Sequence, residues 1–383
     1  MKTITSQSYA TESTGCPPPG PRPTAQRLMS LDALRGFDMF WIIGGDAFFR
    51  ALAPIFPGPI TGSIVRQLEH VAWQGLHFYD VIWPLFMFMV GVAMRLSLAK
   101  RRSMGVTDRT LYVHAAKRAL ILFFLGMIAQ GNLLAYDLSI LHPCYSVLHG
   151  IAAGYLIATI VMMNLRPRWQ VVVLGGFLLG YWTLLMLIPV PGVGAGVLTP
   201  EGNAAAYVDR LLLGRFHYGT NTWFLSYPGF ASSVLLGVLA GELLQSSRSA
   251  RSKVAGLFGA GALALVLGLV WSLWLPIIKL LWTSSYVLVS GGISFILLGT
   301  FYLVIDLWGF RTWAFGFTVI GMNSIVAYMS MMLFDFRHIG NIFVGSLLPR
   351  VGPWSGLLEA SAAFSVLWLV LFWMHRTRTF VKL

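Results

Sequence analysis

The chain has 383 residues, of which 57% are hydrophobic and only 11% are charged. This composition excludes a water-soluble globular protein with an ordinary charged surface and is typical of a polytopic membrane protein. The net charge of +13 would suit nucleic acid, but the basic residues lie in short gaps between apolar runs, so we expect no nucleic-acid partner.

Residues 1–27 are polar and rich in proline, and they lack an apolar stretch of the length that a secretory signal needs. We predict that they form a disordered cytoplasmic tail, followed by one polytopic transmembrane domain at residues 28–383. Cys16 in the tail and Cys144 in an apolar run have no metal-ligand spacing and no plausible disulfide framework. We therefore expect no metal.

The first predicted span begins at Leu28 and contains several charged residues. Each charge at the centre of a bilayer would cost about 2.5–3.5 kcal/mol, so these side chains should face protein, water or a ligand. Asp32 and Asp38 each lie three residues from Arg35 and can form an ion network with it. Asp46 lies near the far end of the helix, where it either pairs with Arg50 four residues later or serves a functional site.

The second predicted span, residues 68–100, begins with a polar and aromatic lead-in that contains His70. An imidazole at a membrane edge can exchange a proton or accept a group near neutral pH, although a histidine in an interfacial aromatic belt would also fit. Asp80, at the start of the apolar part, is either an orienting partner or a carboxylate favoured by the helix dipole.

Further apolar runs give about ten spans in all, which predicts an all-α integral membrane protein built as a helical bundle. They lie at residues 111–130, 146–163, 171–189, 228–245, 254–275, 286–307, 314–334 and 357–374. More Lys and Arg fall in the gaps on the side of the termini, so the positive-inside rule predicts cytoplasmic termini. His70 and Lys279 would then face outward.

Two predicted outward segments, residues 51–75 and 190–227, are longer than mere connectors. Loops of this length often form lids or binding surfaces, and the second carries polar and aromatic side chains suited to a polar organic ligand. An ordinary solvated loop would have a similar composition. Lys279 and Ser284 lie near a helix start, and Asn323 lies within a span, where capping and helix packing compete with substrate binding as their roles.

Several motifs occur in the same order over nearly the whole chain: SLDALRGFDMFWIIGGD, HVAWQGLHFYDVIWPLFMFMVGVAM, AAAYVDRLLLG, LLGVLAGELL, LWTSSYVL and IGMNSIVAY. They resemble the membrane domain of the heparan-α-glucosaminide N-acetyltransferase family, including its bacterial members. The resemblance implies an acyltransferase that takes acetyl from cytoplasmic acetyl-CoA and delivers it to an amino sugar across the membrane. The family's active histidine matches His70, which would become acetylated or act as a general base.

The resemblance also implies a site for the nucleotide of acetyl-CoA near the cytoplasmic face. Arg35, Arg95, Lys117 and Arg118 cluster there, and cationic side chains at helix ends suit phosphate groups. Where relatives have an asparagine at the end of the first span, this chain has Asp46, which could orient His70 together with Asp80. Lys279, Ser284 and Asn323 are the candidates for contact with the acceptor.

The expected function is therefore acetyl transfer to an amino sugar or related glycan acceptor in a bacterial inner membrane. Two other functions stay open: a transporter or exporter of a glycan precursor, which would use the same buried charges, and a non-catalytic membrane scaffold. The lipid bilayer is an expected partner, and a homodimer is compatible with the sequence.

Overall fold

The computed structural model describes residues 28–381, so the predicted tail at residues 1–27, including Cys16, lies outside the described residues. Within the described part all helices and turns belong to one helical bundle, and an isolated bridge between Val190 and Gly194 is the only β-type pairing. The helices are α1 Met29–Phe40, α2 Asp46–Leu52, α3 Pro59–Gln67, α4 Ile82–Ser103, α5 Asp108–Ala129, α6 Val147–Asn164, α7 Pro167–Leu187, α8 Ala204–Leu213, α9 Tyr227–Gln245, α10 Ala250–Trp271, α11 Ser284–Phe301, α12 Phe315–Met322, α13 Ser324–Leu333, α14 Phe336–Val344 and α15 Ser355–Arg376.

The prediction of an all-α integral membrane protein is confirmed. Among the described residues, eight helices are long and apolar enough to cross a membrane, and the pair α12 and α13, bent by 74°, makes a ninth if it counts as one span. The one predicted span that is not among these nine is the first, which corresponds to α1 and α2, joined by a π-helical turn at Trp41–Gly45. Because it is charged and interrupted, this broken helix does not qualify by hydropathy alone.

The centre of the bundle is a close crossing of α4 and α9. A Cβ atom on Gly91 would lie 2.0 Å from the carbonyl oxygen of Val234, and one on Gly237 would lie 1.9 Å from that of Phe88. Small residues let helix backbones approach in this way, which is a common basis for helix association in membranes. The crossing fixes α4, and with it the start of the helix near His70.

The spans divide the molecule into two ends. Consecutive spanning helices must alternate in direction. The first residues of α4, α6, α9 and α11 therefore lie at the same end of the bundle as the last residue of α13. We call this the far end, and the opposite end, which carries residues 28 and 381, the near end. The far end also carries the two long connecting segments. Which end faces the cytoplasm stays a prediction from charge.

The connecting segments at the far end hold one another in place. The indole nitrogen of Trp73 donates a hydrogen bond to the carbonyl oxygen of Leu198 (2.8 Å), and the backbone N–H of Gly75 donates to that of Ile277 (2.9 Å). The segment after His70 is therefore tied both to the loop that precedes α8 and to the loop that precedes α11. These two hydrogen bonds hold the segment that follows His70 in place at the far end.

Candidate active site

The segment that carries His70 is folded around the side chain of Asp80. One carboxylate oxygen, Oδ2, accepts the backbone N–H groups of Val71 (3.2 Å) and His77 (3.1 Å). The phenolic hydroxyl of Tyr286 donates to the backbone carbonyl of Asp80 (2.7 Å). With only 1% of its side chain exposed, Asp80 is a fixed acceptor around which the chain turns into α4.

The other carboxylate oxygen of Asp80 brings His70 and Lys279 together. Asp80 Oδ1 lies 2.8 Å from His70 Nδ1 and 3.1 Å from Lys279 Nζ, and Nζ lies 2.9 Å from the same ring nitrogen. When Nδ1 carries the proton, it donates to Asp80, and Nε2 keeps its lone pair. The His70 side chain is 56% exposed, so a reactant can reach the ring, and its Nε2 lies 3.5 Å from Lys279 Nζ.

Lys279 lies outside the spans, in the loop between α10 and α11. Burial lowers the pKa of its ammonium group, because the charged form loses hydration, while the negative charge of Asp80 and its hydrogen bond oppose that change. The side chain is 16% exposed. Lys279 is therefore a cation that depends on Asp80 for compensation.

A cavity of about 180 Å³ extends from His70 into the bundle, and we call it the His70 cavity. Its walls are mainly apolar and aromatic. Polar groups come from His70 and Lys279 at one end and from Gln130 and Tyr328, whose hydroxyl donates to the Gln130 side-chain oxygen (3.0 Å). A small number of fixed polar groups in an apolar pocket is the usual pattern of an organic ligand site.

A second cavity, of about 260 Å³, adjoins the His70 cavity on the side of the near end. The two share wall residues from α4, α6 and α13: Phe86, Leu148, Ile151, Ser324 and Ile325. Arg35 and Arg118 line the second cavity, which we call the basic vestibule. Cationic groups at one end and His70 at the other thus border two neighbouring internal spaces.

The predicted nucleotide-binding cations do not form one group. Arg118 lies over the ring of Tyr155 (4.7 Å to its centre), and its Nε is buried without a hydrogen-bond partner among the described residues, while Arg35 pairs with Asp32 at 3.6 Å. Arg95 is bound to Glu242 and lines a different cavity near the same end. Lys117 is exposed on the surface of α5.

Asp46 forms an ion pair with Arg50, 3.6 Å apart, as its spacing predicts. The guanidinium of Arg50 also donates to the carbonyl oxygen of Leu68 and lies 3.8 Å from the carboxylate of Glu69. Asp46 is therefore linked to the segment that carries His70 through Arg50, and its role as an orienting group stays a prediction.

The other two predicted acceptor-binding residues take part in helix packing. The hydroxyl of Ser284 donates to the carbonyl oxygen of Leu178 (2.7 Å). The side-chain amide of Asn323, at the bend between α12 and α13, donates to Thr379 and accepts the backbone N–H of Val381, both at 3.1 Å. Asn323 thereby holds the C-terminal segment at the wall of the basic vestibule.

Two residues at the site were not among the predicted ones. The ring of Tyr79 lies 5.0 Å from that of His70, and Gln130 lies at the end of α5, on the opposite wall of the His70 cavity. Tyr79 lies within the motif that contains His70 and Asp80, so its position was a usable signal, whereas nothing local marked Gln130. Within residues 28–381 no cluster of His, Cys, Asp or Glu could hold a metal ion.

Comparison with known proteins identifies relatives of the chain. It is 26% identical over 378 residues to the heparan-alpha-glucosaminide N-acetyltransferase of Homo sapiens, a match that covers 81% of this chain and 53% of that protein. The chain is related to this family. It is also 26% identical to the heparan-alpha-glucosaminide N-acetyltransferase of Mus musculus over 375 residues, covering 80% of the chain and 54% of that protein.

The chain thus spans about half the length of the heparan-alpha-glucosaminide N-acetyltransferases that it matches. No protein-family model matches it. The relationship agrees with the resemblance found in the sequence motifs, and the membrane-embedded helices agree with it as well.

Proposed function

We propose that the chain is a membrane acetyltransferase that moves an acetyl group from acetyl-CoA to the amine of an amino sugar or a related glycan, with His70 as the catalytic residue. One observation carries the proposal: two adjoining cavities, one bordered by cations and the other by the His70–Asp80–Lys279 cluster. The names of the relatives support the reaction class.

The basic vestibule suits the donor. Arg35 and Arg118 would contact phosphate oxygens, since guanidinium groups bind phosphate through paired, charge-assisted hydrogen bonds. The apolar walls shared by the two cavities would hold the flexible arm of acetyl-CoA, and its thioester would then lie beside His70. The reactants would thus meet without the nucleotide crossing the membrane.

The cluster can accept the proton that the acceptor amine loses in the reaction. As the acceptor amine attacks the acetyl carbonyl, His70 Nε2 takes the amine proton, the new C–N bond forms, the C–S bond breaks, and the CoA thiolate leaves. Asp80 would hold the ring by its Nδ1–H, and the ammonium of Lys279, 3.5 Å from Nε2, would stabilise negative charge on the carbonyl oxygen.

A covalent route uses the same groups in two steps. Nε2 attacks the thioester carbonyl, the N–acetyl bond forms, the C–S bond breaks, and the CoA thiolate leaves an acetyl-imidazole behind. The amine then attacks that carbonyl, the acetyl–N bond to His70 breaks, and the amine proton passes to the ring nitrogen. Acetylated protein that accumulates in the absence of acceptor distinguishes this route from direct transfer.

The test uses purified protein in proteoliposomes supplied with labelled acetyl-CoA and glucosamine. Transfer of label to the amine should occur with the wild-type chain and with His338→Ala, which changes an exposed histidine at the far end. It should fall at least about a hundredfold with His70→Ala, the usual contribution of a general base. Undiminished transfer by a folded His70→Ala protein, or glycan uptake without acetylation by the wild type, would refute the proposal.

A further inference from the structure

A separate cavity of about 450 Å³ lies at the far end, beside the His70 cavity, and we call it the lateral cavity. It is bordered by the π-helical turn and α2, by the end of α13 and the start of α14, and by α15. Gly44, Ala47, Ala360 and Ala363 contribute small side chains or none to its walls. The proposed donor site and the catalytic cluster both lie outside this cavity.

The lateral cavity and the His70 cavity are separated by a single layer of residues. Met332, near the end of α13, lines both cavities, and the neighbouring residues Ile42 and Ile43 line the His70 cavity and the lateral cavity respectively. A molecule seated in the lateral cavity therefore lies next to the catalytic space, with one flexible methionine side chain at the boundary.

The walls of the lateral cavity combine apolar residues with one pair of charged residues. Most of its lining residues are apolar, Phe336 and Phe364 among them, and its two charged residues, Asp335 and Arg337, lie together where α13 gives way to α14. Arg337 lies 4.0 Å from Glu359, at the limit for an ion pair, so its guanidinium retains donors for another partner. A mostly apolar lining with one charged pair suits an amphiphile.

The lateral cavity lies at the edge of the bundle. The apolar window of α15 is only 17% buried within the protein, and Leu333 and Phe334 are about half exposed. In a membrane these surfaces face hydrocarbon chains, so a lipid can enter the lateral cavity from the bilayer without passing through water.

We propose that the lateral cavity binds the hydrocarbon chain of a lipid-linked acceptor, whose amino-sugar head then reaches His70 past Met332. Asp335 and Arg337 would hydrogen-bond the hydroxyl groups of the head. This inference rests on the proposed acetyltransferase function and adds the class of substrate: a glycan carried on a membrane lipid rather than one free in solution.

The experiment compares two acceptors in proteoliposomes, methyl glucosaminide and dodecyl glucosaminide, with labelled acetyl-CoA as donor. The wild-type kcat/KM for the dodecyl compound should exceed that for the methyl compound by about tenfold or more, given the free energy gained when each methylene group is buried. Partition of the dodecyl chain into the bilayer contributes to this ratio, so the ratio alone does not test the lateral cavity.

Variants that fill the lateral cavity isolate its contribution. Ala47→Phe and Ala360→Phe introduce bulk from opposite walls, and each should lower the dodecyl-to-methyl ratio several-fold, whereas Leu263→Trp, at an exposed position on α10, should keep the wild-type ratio. Bilayer partition is the same for all these proteins. A shared effect of two independent substitutions excludes a folding defect specific to one of them.

The outcomes separate the two proposals. If the wild type acetylates neither compound, the acetyltransferase function itself is refuted. If it acetylates methyl glucosaminide but both filled variants keep the wild-type ratio, the lateral cavity holds at most ordinary bilayer lipid, and the lipid-linked acceptor is refuted while the acetyltransferase stands. A wild type that does not prefer the dodecyl compound refutes it too.

Discussion

Replacement of Asp80 by asparagine tests the catalytic cluster most directly. The amide is nearly the same size as the carboxylate, and its oxygen can still accept the backbone N–H groups of Val71 and His77. Its NH₂ group then occupies the position of Oδ1, where it faces two other donors, His70 Nδ1–H and the ammonium of Lys279. The substitution therefore keeps the fold of the segment and breaks the cluster.

The structure sets the size of the expected effect. Each hydrogen bond to a charged group contributes about 1.5–3 kcal/mol, and the asparagine loses the two bonds at Oδ1. A histidine that is no longer oriented should lose most of its benefit as a base, which corresponds to a decrease in kcat of about a hundredfold to ten-thousandfold. Stability should also fall, because the ammonium of Lys279 stays mostly buried without its counter-charge.

The same variant should also lower the pKa of Lys279. Burial lowers the pKa of Lys279 and Asp80 raises it. In Asp80→Asn only the lowering effect remains, so the lysine becomes neutral at a lower pH than in the wild type. Labelling of Lys279 with an amine-reactive reagent, followed by mass spectrometry across a pH series, should therefore begin at lower pH.

The matched control is Asp137→Asn, an exposed carboxylate in the far-end loop between α5 and α6, which should leave both acetyl transfer and labelling unchanged. Acetyl transfer by Asp80→Asn at the wild-type rate would contradict the orienting role of Asp80. A labelling onset that does not move would contradict the electrostatic coupling between Asp80 and Lys279.

Three further predictions concern the basic vestibule, the crossing of α4 and α9, and Asp209 in α8. Arg118→Ala should raise the KM for acetyl-CoA about tenfold with little change in kcat, and Lys117→Ala, exposed on the same helix, should change neither. Gly237→Ala should cost about 1–3 kcal/mol in thermal unfolding because its Cβ meets the α4 backbone, whereas Gly259→Ala, which meets open space, should not. Burial raises the pKa of Asp209 to about 6, above the unfolded value of about 3.9, so the folded chain keeps a proton that the unfolded chain releases. Its contribution to stability is therefore present at about pH 4 and lost as the pH rises through about 6, and Asp209→Asn should flatten that part of a Tm-against-pH curve.

The apolar spans could be predicted because what a membrane-crossing helix requires is a property of one short segment of sequence. Crossing a bilayer needs an uninterrupted apolar segment of sufficient length, and each of the eight qualifying helices overlaps a predicted run. The ion pair Asp46–Arg50 could be predicted from the sequence for the same reason, because residues four apart meet on a helix. The π-helical turn at Trp41–Gly45 could not be predicted from the sequence, because it depends on how the flanking helices pack.

His70 and Asp80 could be named as candidates from their motif, but their relation to Lys279 could not be derived from it. Lys279 is 209 residues from His70 along the chain, and the packing of α11 against α4 brings its loop to the Asp80 carboxylate. For the cations, charge and position along the chain placed Arg35, Arg95, Lys117 and Arg118 in one group. In the structure, Arg35 and Arg118 line the basic vestibule. Arg95 pairs with Glu242, and Lys117 is exposed on the surface.

The sequence by itself therefore determined the class of protein, the approximate number of spans and the residues able to do chemistry, since hydropathy and residue type are properties of short segments. The tertiary structure alone decided which of those residues meet and which spaces they border, including the lateral cavity. Contacts and cavities arise between helices distant in sequence, and their geometry depends on backbone approach at positions such as Gly91 and Gly237.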